Sequence, residues 1–143
     1  MQLKVLPDIK LTRQLKQFVY PVIGCCQAVH REKGPELTEY VYQECLEIAL
    51  SQESIPFIRE YTFNPSFRGI QLKSSLRVDF FVKEKIFLEC KAIEKLGFAE
   101  RLQITNYMRN AGIRIGILYN FAPWYAECEK FYLDTETDKL YFF

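Results

Sequence analysis

Three residues near the middle of the chain have the types and spacing for phosphate chemistry: Asp79, Glu89 and Lys91. They lie on two apolar runs, Ile70–Val82 and Ile86–Ile93, which flank the polar turn Lys83-Glu84-Lys85 and read as an antiparallel hairpin. Centred on Glu84, the turn sets Asp79 opposite Glu89 and Arg77 opposite Lys91. Directly opposed residues hold their Cβ atoms about 5 Å apart. Because side chains alternate along a strand, Arg77, Asp79, Glu89 and Lys91 share one face, and Val78, Phe80, Val82, Leu88 and Cys90 share the apolar other. A three-residue loop ordinarily wants Gly or Asn in a left-handed position, and this one has neither, so a bulge could move the pairing by one.

Two carboxylates side by side repel unless one is protonated or a cation sits between them. Mg²⁺ or Mn²⁺ would resolve that conflict, since such ions take oxygen ligands from a couple of carboxylates, water and substrate phosphate. A bound ion would acidify a water and neutralise charge building on a phosphate. Lys91, two residues beyond Glu89 on the same face, would orient that water or stabilise the charged phosphate. The plainer reading is an exposed face of cross-strand ion pairs, which contribute little.

The elements around this hairpin follow from periodicity. Val22, Ile23, Cys26 and Val29 predict a helix from about Tyr20, with Pro21 in its first turn and an end at Gly34-Pro35. Residues 1–16 show no clear period. A second helix is predicted over Glu36–Gln52, with Leu37, Val41, Cys45, Ile48 and Ala49 facing inward. Phe57–Phe67 reads as a strand closed by the turn Arg68-Gly69, and Phe98–Asn110 as a helix ended by Gly112. Ile113–Asn120 reads as a buried strand, and Cys128–Leu133 and Leu140–Phe143 as a last hairpin. The order helix, helix, three strands, helix, strands gives one mixed α/β domain over residues 1–143.

Composition fits this picture. At 143 residues, 49% hydrophobic and 26% charged, the chain has the size and make-up of one folded domain. The net charge of +1 argues neither for nor against nucleic acid, although residues 1–33 hold six Lys/Arg against two Asp/Glu. Five cysteines, odd in number and without a C-x-x-C pair, predict buried thiols in a reducing compartment, not disulfides or a zinc site. With no signal pattern and no long apolar run, the expectation is a cytoplasmic protein without a membrane segment.

The order Val78-Asp79, then Leu88-Glu89-Cys90-Lys91, resembles the PD-(D/E)xK phosphodiesterase motif, and Gln103-Ile-Thr-Asn-Tyr107 resembles the Q-x-x-x-Y element of its RecB-like branch. On a helix Gln103 and Tyr107 share a face. A wider match over roughly residues 18–121 is similar to the GxxExxR protein family. It rests on Val29-His30-Arg-Glu-Lys-Gly34-Pro35, Glu39 with Tyr42, Arg77-Val-Asp79, Glu89-Cys-Lys91-Ala-Ile-Glu94-Lys95-Leu96 and Gly116-Ile-Leu-Tyr-Asn120-Phe121. The family commonly reads Gly-Pro-Gly where this chain has Glu36 in the last place, and His is frequent at the position of Glu100.

The resemblance implies a restriction-endonuclease-like core, a central mixed sheet flanked by helices, and a Mg²⁺- or Mn²⁺-dependent nuclease. Asp79, Glu89, the Cys90 carbonyl and Glu39 would hold the metal. Lys91 would position water, with Gln103 and Tyr107 in support. Arg77 and Arg68 are candidate phosphate contacts. The partner would be nucleic acid, DNA ahead of RNA. The alternatives are an inactive nuclease-fold module that binds nucleic acid or a protein partner, and a homodimer built on the many aromatic residues. His30 is expected to cap the first helix, Glu94 and Lys95 to form a turn, and Trp124 and Tyr125 to be buried under the terminal hairpin, stacking on unpaired bases being the other reading.

Overall fold

A computed structural model describes residues 3–143 of the chain. After a two-residue strand β1 (Lys4–Val5), helix α1 spans Ile9–Lys33. It starts three turns before the predicted Tyr20, because the Asp8 side chain caps it by accepting from the Leu11 N–H at 2.9 Å. Its buried stripe, Leu15, Val19, Val22, Cys26 and Val29, begins among basic and amide residues that hide the period. Pro21 therefore lies inside the helix, on its exposed side, and not in the first turn. Gly34, at φ 74°, ends α1 with its N–H on the His30 carbonyl.

Helix α2 (Glu39–Gln52) begins three residues later than predicted and turns a partly different face inward, with Cys45 and Ala49 packed against the core as expected. The buried positions are Tyr42, Gln43, Leu46 and Leu50, whereas Leu37, Val41 and Ile48 are exposed. Two apolar stripes compete on this helix, and Tyr42 decides between them. Its ring stacks on Phe121 at 4.7 Å, and its hydroxyl donates to the Gly34 carbonyl at 2.6 Å while accepting from the Leu37 N–H.

The predicted strand Phe57–Phe67 divides into β2 (Phe57–Phe63) and β3 (Ser66–Phe67). Likewise Ile70–Val82 divides into β4 (Ile70–Gln71) and β5 (Leu76–Val82). The pair β3–β4 forms a separate exposed hairpin whose turn holds Arg68 and Gly69 at positive φ, with Asn64 tying its base to the Leu72, Lys73 and Ser74 carbonyls. Then come β6 (Ile86–Lys91), α3 (Phe98–Ala111), β7 (Ile115–Asn120), β8 (Glu127–Asp134) and β9 (Lys139–Phe142).

Seven strands form one mixed sheet in the order β1-β9-β8-β7-β6-β5-β2. The β6 strand runs antiparallel to β5 and parallel to β7, and both β6 and β7 are covered on each face, as central parallel strands are. The short β1, which the sequence did not reveal, adds in parallel to β9. Helices α1 and α2 cover one face through Phe80, Val82, Leu88 and Cys90, and α3 covers the other through Phe87, Leu118, Ile104 and Met108. Gly116 lets α3 approach closely, since a Cβ there would run into the Met108 sulfur. The architecture is the mixed α/β sheet flanked by helices that the sequence predicts.

All five cysteines are free. Cys25, Cys26 and Cys90 are buried as predicted, while Cys128 is exposed. Among the described residues no helix is long and apolar enough to cross a membrane.

Candidate active site

The hairpin register is the one that centres on Glu84, with Phe80 opposite Leu88, Phe81 opposite Phe87 and Val82 opposite Ile86. The missing Gly or Asn is made up by strain: Lys83 and Glu84 both take φ 54°, and the Lys85 N–H closes the turn on the Val82 carbonyl. Backbone pairing stops at Phe80 and Leu88. Beyond it, the carboxylates take over the strand-to-strand bonds. Asp79 Oδ2 accepts from the Cys90 N–H at 2.8 Å, and Glu89 Oε1 accepts from the Asp79 N–H at 3.0 Å. Each acid thereby reaches across to the other strand with one oxygen and keeps a second.

Lys91 closes the group. Its ammonium donates to Gln103 Oε1 on α3 at 2.9 Å and lies 3.9 Å from Glu89 Oε2. Gln103 Nε2 in turn contacts the Tyr107 hydroxyl at 3.4 Å, so the two α3 residues act on Lys91 as a relay. Asp79, Glu89, Lys91, Gln103 and Tyr107 are thus brought together by three elements.

Burial makes this a cation-hungry site. Glu89 is 3% exposed, and burial, followed by the nearby charge of Asp79, pushes its carboxyl up to about 8. Burial also raises Asp79, against the opposing pull of the Cys90 N–H, Lys91, Arg77 and Arg59. Glu39, at the start of α2, is raised first by burial and then by the charge of Asp79. It belongs to the same electrostatic cluster but is held by Gln43, whose amide donates to it at 3.3 Å. Among the described residues no three His, Cys, Asp or Glu side chains converge closely enough to make a metal cage by themselves. The set nevertheless suits Mg²⁺ or Mn²⁺, hard ions that use one or two carboxylates and complete their shell with water and phosphate.

Several supporting residues escaped the sequence reading. Arg59 on β2 donates to Glu47 at 2.8 Å and to Gln43 at 3.2 Å, completing a chain Glu47–Arg59–Gln43–Glu39, and its buried Nε has no partner. The signal was present as Glu39, Gln43 and Glu47, four apart on one helix stripe. Fully buried Asn120 clamps the chain just past Lys91 by accepting from the Ile93 N–H and donating to the Ile93 carbonyl and Glu127. Glu100 reaches back to the Gly97 N–H and caps α3.

Other candidates lie elsewhere. Arg77 is exposed beside Glu60, two residues before Asp79, and Arg68 covers the Phe67 ring on the exposed hairpin. The His30 backbone caps α1, but its ring bonds the Pro123 carbonyl at 2.9 Å. Glu94 and Lys95 do form an exposed bend. Trp124 and Tyr125 are not buried under the terminal hairpin. They are 74% and 83% exposed, because the loop carrying them joins the C-terminal end of the central strand β7 to β8, at the end of the sheet opposite the β8–β9 turn.

No curated protein and no solved structure gives a significant match to the chain. The model of one family, described as the PD-(D/E)XK nuclease superfamily, matches residues 16–131, which include all of the cluster around Asp79. Nucleases of that superfamily generally use divalent metals and act on nucleic acid. With the sheet, the flanking helices and this match together, the chain belongs to the PD-(D/E)XK nuclease superfamily.

Proposed function

We propose that the protein is a Mg²⁺- or Mn²⁺-dependent phosphodiesterase that cleaves nucleic acid, DNA ahead of RNA. The observation that carries the reading is the placement of the Lys91 ammonium by Gln103 beside two adjacent acids, Glu89 buried and Asp79 half-buried, whose charges oppose each other. An ordinary surface ion pair would need neither the burial nor the amide that aims the lysine.

Asp79, Glu89 and the Cys90 carbonyl would hold the ion, which supplies an acidified water and offsets charge on the phosphate when bound. Glu39 adds negative charge from α2, as a water-mediated ligand or as the group that orients water. Lys91 stabilises the charge that builds on the phosphate oxygens, and Gln103 keeps its ammonium from collapsing onto Glu89. Tyr107 holds the Gln103 amide, a pairing in keeping with the Q-x-x-x-Y element of the RecB-like branch. Arg77, exposed and close in sequence to Asp79, would take a flanking phosphate.

The test is cleavage of labelled single- and double-stranded DNA and RNA by wild type and by Asp79→Ala, with and without Mg²⁺ or Mn²⁺. Cleavage that needs metal and disappears in the variant is expected, with the circular dichroism spectrum retained. A variant cleaving at the full rate overturns the assignment.

A further inference from the structure

We infer that Trp124 and Tyr125 form a stacking platform for an unpaired nucleic-acid strand leading into the active site, an inference that rests on the nuclease reading for its substrate class. Trp124 is a wall shared by two hollows. On one side lies a cleft of about 730 Å³ floored by Ala92 and Ile93, the two residues after Lys91, and bounded by Leu37, two residues before Glu39. On the other is a hollow of about 370 Å³ that holds Arg31 and Tyr125. The cleft beside Trp124 is therefore lined by residues that lie next to or near two members of the cluster in the chain, Lys91 and Glu39.

The loop is built to hold still. Asn120 clamps Ile93 on one side, the Phe121 N–H bonds the Lys91 carbonyl at 2.8 Å, and His30 bonds the Pro123 carbonyl at 2.9 Å. Despite these anchors, the two large rings at its tip are 74% and 83% exposed. Anchored, exposed aromatic faces suit bases that have left their partners, because every base has a face to stack and a paired base hides it. Arg31 supplies a phosphate contact in the second hollow, while Glu36 and Glu94 in the first disfavour phosphate and leave that cleft to the base and sugar.

The sequence contains one tryptophan, so its emission reports on this loop alone. Wild-type protein in EDTA, where metal-dependent cleavage is stopped, is titrated with oligo-dT, oligo-U and a hairpin DNA duplex. Saturable quenching by the unpaired strands and none by the duplex is expected; the two strand arms separate DNA from RNA. A double variant, Trp124→Ala with Tyr125→Ala, should bind the same strands about ten- to a hundredfold more weakly by fluorescence anisotropy. Trp124→Phe should keep most of the affinity.

Equal affinity in the double variant, quenching by duplex as strong as by single strands, or no quenching at all overturns the platform. A concentration-dependent blue shift without nucleic acid also overturns it, assigning the face to a second copy of the chain. Cleavage assays on the same strands score the nuclease reading separately. Cleavage without quenching removes the platform alone, and quenching without cleavage upholds it while counting against the nuclease.

Discussion

Replacing Glu89 by Gln should make the metal-free protein more stable at neutral pH, although the side chain is buried in the sheet. A carboxyl whose folded value lies above its unfolded one adds stability that is complete below the unfolded value and lost as pH rises to the folded one. For Glu89 that window runs from the ordinary 4.5 to about 8. By pH 7 the group has passed through about 2.5 units of it, and at about 1.4 kcal/mol per unit the folded state has lost about 3 kcal/mol. Glu89→Gln keeps an oxygen for the Asp79 N–H and carries no charge, so it escapes this loss. Its new amide N–H groups face Lys91 and cost about 1 kcal/mol in unmade hydrogen bonds. The net gain is about 2 kcal/mol at pH 7, or about 6 °C in Tm for a chain of this size.

The assay is thermal unfolding of both proteins in EDTA from pH 4.5 to 8.5, repeated with Mg²⁺ or Mn²⁺. In EDTA the wild type should lose Tm across the range while Glu89→Gln changes less, the two meeting near the acid end. Saturating metal reverses the order at pH 7. At a hundred times its Kd, an ion adds about 2.7 kcal/mol to a protein that binds it only when folded, and the variant should gain almost none of this. A Glu89→Gln protein less stable than wild type at pH 8 in EDTA would refute the electrostatic account of the site. So would a wild-type Tm that ignores both pH and metal.

Gln103→Ala should lower kcat about ten- to a hundredfold by freeing the Lys91 ammonium. Metal affinity by calorimetry should stay near wild type, and Gln103→Glu, which keeps the acceptor, should recover part of the rate. Glu36 holds φ 65°, a conformation that costs an L-residue about 1 kcal/mol, so Glu36→Gly should raise stability in urea by up to about that amount, less the entropy of the added glycine. Gly116→Ala should cost about 1–3 kcal/mol, because its Cβ meets the ends of the Met108 and Ile104 side chains, which must repack in a filled core. Both lie on α3 with Gln103, so cleavage should fall with stability in that variant.

The two faces of the hairpin were legible because Phe80, Val82 and Leu88 alternate with the charged residues, while the register stayed open by one at the turn and is set by the positive φ of Lys83 and Glu84. Lys91 and Gln103 were legible as a motif, though their contact depends on how α3 crosses the sheet at Gly116, which no local pattern encodes. The inner face of α2 was legible in part, at Cys45 and Ala49, and misread at Val41 and Ile48, which are as apolar as Leu46 and Leu50; the choice fell to Tyr42 stacking on Phe121, far away in the chain. The start of α1 was missed for a different reason: Leu11 and Leu15 are spaced four apart, but Lys10, Arg13 and Lys16 break up any apolar run around them. Exposed Trp124 and Tyr125 illustrate the limit of reasoning from residue type, since aromatic character alone predicts burial.

The end of the β5–β6 ladder at Phe80 and Leu88 explains why two acids can stand together before any cation arrives. Where the strands part, the Cys90 and Asp79 N–H groups would be left without sheet partners, and buried N–H groups are costly to leave unpaired. Asp79 and Glu89 fill those two vacancies from opposite strands. The same bonds that satisfy the backbone fix one oxygen of each carboxylate and so limit where the other can lie. Preorganisation of the site is therefore a consequence of the strands separating, not an addition to a regular hairpin. It follows that Asp79→Asn should hold the geometry better than Asp79→Ala, since the amide oxygen can still accept from Cys90, while both variants lose the charge that the ion requires. Equal loss of cleavage with unequal loss of stability between those two variants is the outcome this account demands.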